Sequence, residues 1–366
     1  MLFTRLGGRL GDPFLRTRLY EFVQARLQTL ALATGHNLSK PTFVCIKFTM
    51  QCNARCRHCH IYYPEHTPPD ELTALEWLVV LDRLRRWLGP GVPLTVTGGE
   101  VLLRRDAFQV LERAAELGFA LHILTNGWLV NESRAERLMR LGARIVQVSL
   151  DGADPGTHDF LRGLPTFGVR TEEALARLAA ARDRLGAPTK LVVATVIFRQ
   201  NLGELGALVR KVRSLGADEI KFQPIEQTYM EPDDPEWHTK SPLWVTDPEA
   251  AARAIDELIA LKREGWPIQN SIEQLEFTKF YFREPKTAYL KARSHDQHFR
   301  SRRCRTAVAD CDMSSNGDVR LCYRMDPIGN VRHEAPEEIW NRRPRCWTAP
   351  CRFLDEPESD ARPSVD

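Results

Sequence analysis

Apolar residues along this chain switch between two spacings. Phe43 to Met50 is a short apolar run with β-branched and aromatic residues, which predicts a buried strand. Thr73 to Leu88 then carries apolar residues at helical spacing and stops at Gly89–Pro90. The alternation continues with strands over Pro93 to Thr97, Ala120 to Leu124, Arg144 to Leu150, Lys190 to Phe198 and Glu219 to Phe222. Helices are predicted over Arg105 to Leu117, Ser133 to Leu141, Thr171 to Leu185 and Leu202 to Leu215. Near the start, Leu19, Phe22, Val23, Leu27, Leu30 and Leu32 also have helical spacing, which predicts a helix packed on the main domain. A membrane-surface role is the lesser reading of that stripe.

Six strands alternating with helices predict parallel βα units. The expected fold class is α/β: a partial (β/α)6 TIM-like barrel with a small cysteine-rich C-terminal domain. Met230 to Trp244 is rich in proline and acid and reads as a boundary; Asp247 to Gly265 and Ile272 to Leu290 read as helices. The expected organisation is a helical segment over 1–41, the barrel over 42–228 and a connecting helical region over 229–300. A cysteine-rich domain over 301–355 and a disordered tail over 356–366 complete it.

Charge changes this picture little. The 366 residues include 51 basic and 48 acidic side chains, a net charge of +3. No nucleic-acid or membrane partner is expected from that balance, although Arg302, Arg303 and Arg305 form a local basic cluster. Met1 to Gly35 is arginine-rich and lacks the apolar core of a secretory signal, and no apolar run approaches the ~20 residues of a bilayer span. A cytoplasmic location is expected.

Cysteine placement changes the picture most. Nine cysteines stand at 45, 52, 56, 59, 304, 311, 322, 346 and 351. In a reducing compartment such clusters are more often metal ligands than disulfides, and two groups suggest two metal sites. Cys52, Cys56 and Cys59 have Cys-x3-Cys-x2-Cys spacing. Three soft thiolates on one loop suit three corners of an iron–sulfur cubane, or zinc with His58 or His60 as a fourth ligand. Polar motifs end the other strands: Gly98-Gly99-Glu100, Asn126 in a Thr-Asn-Gly turn, and Ser149-Leu-Asp151-Gly152. In barrels of this type, strand ends carry the functional residues. Thr195, Asn201 and Gln223 are candidates for the pocket rim, and Cys45 reads as a core thiol.

With Cys52-Asn-Ala-Arg-Cys56-Arg-His-Cys59 after the first strand, the chain resembles the radical S-adenosylmethionine (SAM) superfamily. The residue before the last cysteine is often aromatic and carbocyclic there; here it is His58. The resemblance implies a 4Fe-4S cluster on Cys52, Cys56 and Cys59 whose open iron binds SAM. It implies an enzyme in which one electron breaks a sulfur–carbon bond of SAM and yields a 5′-deoxyadenosyl radical. It assigns Gly98, Gly99 and Glu100 to the SAM amino group and Ser149 to the ribose. Asp151 is read as a ribose or substrate contact, Asn126 as a weaker candidate, and Arg162, in His158-Asp-Phe-Leu-Arg162-Gly163, as a partner of the SAM carboxylate.

The C-terminal cysteines, with a tight turn at Ser315-Asn-Gly-Asp318, resemble the SPASM/twitch extension of the same family. That implies one auxiliary 4Fe-4S cluster on Cys304, Cys322, Cys346 and Cys351. Cys311 is left as a free thiol, an alternative ligand or a catalytic hydrogen donor for a redox-neutral epimerisation. The implied substrate is a peptide or a small natural-product intermediate, with an external one-electron donor such as flavodoxin or ferredoxin. The N-terminal segment is expected to be too short for a leader-peptide recognition domain. A zinc-stabilised binding or scaffold protein is the alternative from another class.

Overall fold

Six strands lie parallel and in sequence order, each carried to the next by helical segments: β1 (Phe43–Thr49), β2 (Pro93–Gly98), β3 (Ala120–Thr125), β4 (Ile145–Ser149), β5 (Lys190–Ile197) and β6 (Glu219–Pro224). The computed structural model describes residues 13–59, 61, 64–66, 68–228, 234, 236–288, 306–322 and 325–344. The sheet is the core of a partial TIM-like barrel. Val44, Ile46, Leu94, Val96, Leu121, Ile123, Val146, Val148, Leu191, Val193 and Ile220 alternate onto one buried face. They pack within the main hydrophobic core, the burial that stabilises such a sheet. The opposite face mixes polar and apolar side chains. Cys45, Thr95 and His122 share it by register, as do Lys47 with Thr97, Leu124 with Gln147, and Val196 with Gln223.

The predicted helices form, with ends set by local chemistry. Helix α1 spans Pro13–Thr34, α2 Ala74–Leu88, α3 Ala107–Glu116 and α4 Glu132–Arg140. Thr73 caps α2 in a reciprocal capping box with Glu76. Between β4 and β5 the sequence suggested one helix, whereas the structure has two, α5 (Pro155–Arg162) and α6 (Phe167–Leu185). Pro155 and Gly156, turn-forming residues, stand at the start of α5. Proline suits a first helical turn, and the Asp154 carboxylate accepts from Gly156 N at 2.6 Å. The segment after β5 starts as a 3-10 turn, Arg199–Glu204, and continues as α7 (Leu205–Ser214). Beyond β6 come a short α8 (Trp237–Lys240), then α9 (Pro248–Arg263) and α10 (Ile272–Arg283).

Helix α1 packs as expected but on the unexpected face. Thr17, Gln24 and Gln28 are buried, while Leu19, Phe22, Val23 and Leu30 of the predicted apolar stripe are exposed. Hydrogen bonds fix the helix. Gln24 Oε1 accepts from Lys40 N at 2.7 Å, Gln28 Nε2 donates to Thr42 Oγ1 at 3.0 Å, and the Tyr20 hydroxyl donates to Pro41 O at 2.6 Å. Ala31 and Leu32 supply the apolar part of the contact.

The described part of the cysteine-rich region extends the same sheet. After the short α11 (Thr306–Ala309), β7 (Asp310–Met313) pairs in parallel with β1. Strands β8 (Asp318–Arg320) and β9 (Gly329–Asn330) follow antiparallel, and α12 (Pro336–Asn341) packs on α2. The predicted turn at Ser315 to Asp318 joins β7 to β8. Cys304, Cys346 and Cys351, the Arg302, Arg303 and Arg305 cluster, and the tail lie outside the described residues. Among the described residues no helix is long and apolar enough to cross a membrane.

Candidate active site

The cysteine loop leaves the C-terminal end of β1 and is held at four places. Below it, Glu71 accepts from Thr49 Oγ1 at 2.9 Å and from Met50 N at 2.6 Å. Beside it, Gly99 N donates to Thr49 O at 2.7 Å and Glu100 N to Gln51 O at 2.9 Å. Across from it, the end of α5 receives two loop amides, Arg55 N on Arg162 O and Arg57 N on Leu161 O, both at 2.9 Å. Thr228, after β6, closes the ring by donating to Cys59 O at 3.1 Å. Terminal carbonyls of a helix lack partners within it, so the loop satisfies α5 while α5 positions the loop.

Cys52, Cys56 and Cys59 pack into one small cluster with Ala54, Trp128, Leu164 and Phe167. Burial raises all three thiols, Cys52 to about 12, and Cys56 and Cys59 also raise Cys52 by proximity of like charge. Such a site favours thiolates only when a metal group takes up their charge. Among the described residues, no three His, Cys, Asp or Glu are gathered to hold a single metal ion. A 4Fe-4S cubane takes one thiolate per corner and suits this soft donor set. The residues present therefore fit an iron–sulfur cluster.

Residues 46–212, which contain this loop and five βα units, match the radical SAM superfamily model. The chain carries a radical SAM domain over these residues. This family binds a 4Fe-4S cluster and SAM. The chain is 26% identical over 309 residues to the AdoMet-dependent heme synthase of Methanosarcina barkeri, covering 82% of each protein. It is 33% identical over 182 residues to the PqqA peptide cyclase of Streptomyces rochei, covering 50% of this chain and 48% of that one. Its fold is similar to Streptococcus suis SuiB bound to precursor peptide SuiA. The TM-score is 0.63 at 18% identity, over 88% of this chain and 69% of SuiB.

In this radical SAM domain the strand-end residues do gather around the loop, but several are turned inward. Glu100 is fully buried and accepts from Leu102 N at 3.0 Å, Thr125 Oγ1 at 2.8 Å and Asn126 N at 2.7 Å. Its burial pushes the carboxyl pKa up, against those donors. Asn126 donates to Asn53 Oδ1 at 2.9 Å and reaches Cys52 Sγ at 4.0 Å, so it braces the loop. Ser149 ends β4 half-buried on the mixed face, level with Ala194.

Asp151 has no exposed surface. Its Oδ1 accepts from Val196 N at 2.9 Å, and its Oδ2 from Arg162 Nε at 2.8 Å and Nη2 at 2.6 Å. Burial alone would lift this carboxyl; the Arg162 guanidinium brings it below the usual carboxylate range. His158 Nδ1 accepts from Asp151 N at 3.0 Å, and burial depresses its pKa. Arg162, 8% exposed, thus spends its fork on Asp151 and turns Nη1 to Cys56 Sγ at 3.7 Å.

Of the remaining candidates, Thr195 and Asn201 serve the frame. Thr195 donates to Leu150 O at 2.6 Å, and Asn201 Nδ2 to Asp151 O at 2.7 Å. Gln223 is exposed on the mixed face. Cys45 is a buried strand thiol, as expected. Cys311 is buried too, but it pairs in register with Val44 near the start of β1, on the face away from Cys45. The structure does not bring it to the cysteine loop at the other end of that strand. Cys322 is described, half-buried after β8. Glu71, Trp128, Phe167 and Thr228 were not singled out from the sequence. A lone acid or hydroxyl in a loop gives no periodic or spacing signal.

Proposed function

We propose that this chain is a radical SAM enzyme that cleaves SAM reductively and abstracts hydrogen from a peptide or small natural-product substrate, with an auxiliary 4Fe-4S cluster assisting. The observation that carries this reading is the three-cysteine loop. It is stapled to β2 and α5 at the end of β1, beside the sheet face that carries Lys47, His122, Gln147 and Gln223. Bound on that loop, a 4Fe-4S cluster and SAM supply a 5′-deoxyadenosyl radical. Cys52, Cys56 and Cys59 would hold the cluster, leaving one iron for SAM. Gly98, Gly99 and Ser149, at the ends of β2 and β4, are assigned to SAM. Glu100 and Asn126 fix the loop, and Trp128 with Phe167 exclude water from it.

Substrate is assigned to that face, where Lys47 pairs with Asp312 at 3.2 Å and His122, Gln147 and Gln223 follow on neighbouring strands. Such side chains suit a polar substrate. The PqqA peptide cyclase among the relatives and the SuiA peptide on the similar fold support a peptide; the heme synthase supports a small-molecule intermediate. Cys304, Cys322, Cys346 and Cys351 are assigned to the auxiliary cluster, and the reducing electron to a flavodoxin- or ferredoxin-class donor. Cys311 pairs with Val44 near the start of β1, away from the cysteine loop, and is not assigned as the hydrogen donor.

Iron counting tests the two-cluster reading. Anaerobically reconstituted protein should be brown and carry about eight iron atoms per chain. A Cys52→Ala/Cys56→Ala/Cys59→Ala variant should keep about four. Four iron atoms in the wild type and none in the variant would remove the auxiliary cluster. A colourless zinc protein would remove the whole reading.

A further inference from the structure

Each thiol of the cysteine loop has a hydrogen-bond donor aimed at its sulfur. Ala54 N donates to Cys52 Sγ at 3.4 Å, and the Ile61 amide serves Cys59. Both are neutral amides two residues along the same loop. Cys56 differs. Its donor is the Arg162 guanidinium, a full charge, arriving from the end of α5, 106 residues further along the chain. That guanidinium is not free to swing. Asp151 holds Nε and Nη2, and the Asp151 carboxylate is itself fixed to β5 through Val196 N. The Arg162 carbonyl takes the Arg55 amide at 2.9 Å, so backbone and side chain of one residue both face the loop.

We propose that Arg162, oriented by Asp151, is a positioning residue that sets the reduction potential of the SAM-cleaving cluster through the Cys56 sulfur. The inference rests on Cys52, Cys56 and Cys59 holding that cluster. Hydrogen bonds and charges at cluster sulfurs are the protein's main means of moving a potential. Reduction adds one electron, delivered by the external donor, and hence one negative charge to the cluster. A cation against one thiolate stabilises that added charge, and does so more strongly in a buried, low-dielectric site. Asp151 offsets part of the charge, but it lies on the far side of the guanidinium and keeps Nη1 pointed at sulfur. The sequence assignment of Arg162 to the SAM carboxylate predicts something else: an effect seen only when SAM is bound.

The two assignments separate in a redox titration of the reconstituted full-length enzyme without SAM, followed by EPR. The SAM-cleaving cluster is identified afterwards as the signal that changes when SAM is added. Arg162→Gln should keep wild-type iron and shift the midpoint potential negative, and Arg162→Lys should shift it less. Arg162→Gln leaves Asp151 buried without its partner and risks misfolding. An Asp151→Asn/Arg162→Gln double variant, a neutral pair of similar shape, covers that case and should also shift negative. Iron-loaded variants with the wild-type potential would overturn the proposal. So would loss of iron in every variant, which would make Arg162 only a staple. A wild type that binds no cluster would instead overturn the reading beneath it.

Discussion

A Cβ on Gly99 would lie 2.1 Å from Gln51 O, and one on Gly98 the same distance from Thr49 O. These glycines let the end of β2 touch the start of the cysteine loop. Gly99→Ala should therefore cost on the order of 1–3 kcal/mol and lower the iron bound after reconstitution; chemical denaturation and iron assay would read both. His122 gives a second side-chain prediction. Burial lowers its pKa from 6.5 to about 4, so the unfolded chain takes up a proton before the native one does. Stability should be complete above pH 6.5 and decline towards pH 4, losing on the order of 3 kcal/mol from this group. Denaturation midpoints of His122→Gln should lose that part of the acid slope; an unchanged slope would refute it. Residue chemistry was legible in part. The cysteine spacing announced a soft cluster because ligation fixes ligand spacing. The direction of Arg162 was not legible, because residue type does not reveal whether a guanidinium faces a cofactor or a carboxylate eleven residues back.

Among the elements, α5 joins the sheet to the cysteine loop. Gly163 ends it in a left-handed conformation, with φ 72°, and an added Cβ would fall 2.2 Å from Arg55 O. Gly163→Ala should push α5 off the loop, with a cost of about 1–3 kcal/mol and impaired cluster assembly. Unchanged iron content and stability would contradict that coupling. Helix α1 makes the opposite prediction. Phe22 is 60% exposed and Leu19 53%. Leu19→Ser and Phe22→Ser should stay within about 0.5 kcal/mol of wild type in thermal denaturation. Gln24→Ala should cost more, since it strips the Lys40 amide of its acceptor. Hydrophobic periodicity gave every long helix and all six barrel strands. It misjudged α1, where hydrogen bonds rather than apolar contacts choose the inner face. It passed over α5, whose first turn is written in turn-forming residues.

The C-terminal hairpin and the barrel form one sheet, in the strand order β6-β5-β4-β3-β2-β1-β7-β8-β9. That pairing was not legible, because strands more than 260 residues apart leave no local signal of which edge they join. Its consequence is that β7 covers the edge of the strand that carries the cysteine loop. A chain ending before residue 306 should expose β1 and self-associate, seen as a shift to higher mass in size-exclusion chromatography. An unshifted elution profile would show that the edge needs no cover. The barrel's first end also bears on chemistry, since β1 feeds the cysteine loop and β2 meets it there. The central claim is that this loop serves reductive cleavage of SAM. The most direct measurement is 5′-deoxyadenosine released from SAM by anaerobically reconstituted, dithionite-reduced enzyme, beside Cys56→Ala. Product from the wild type and none from the variant is the predicted result. A wild type with its full iron that releases none, or a variant that releases as much, would contradict the account.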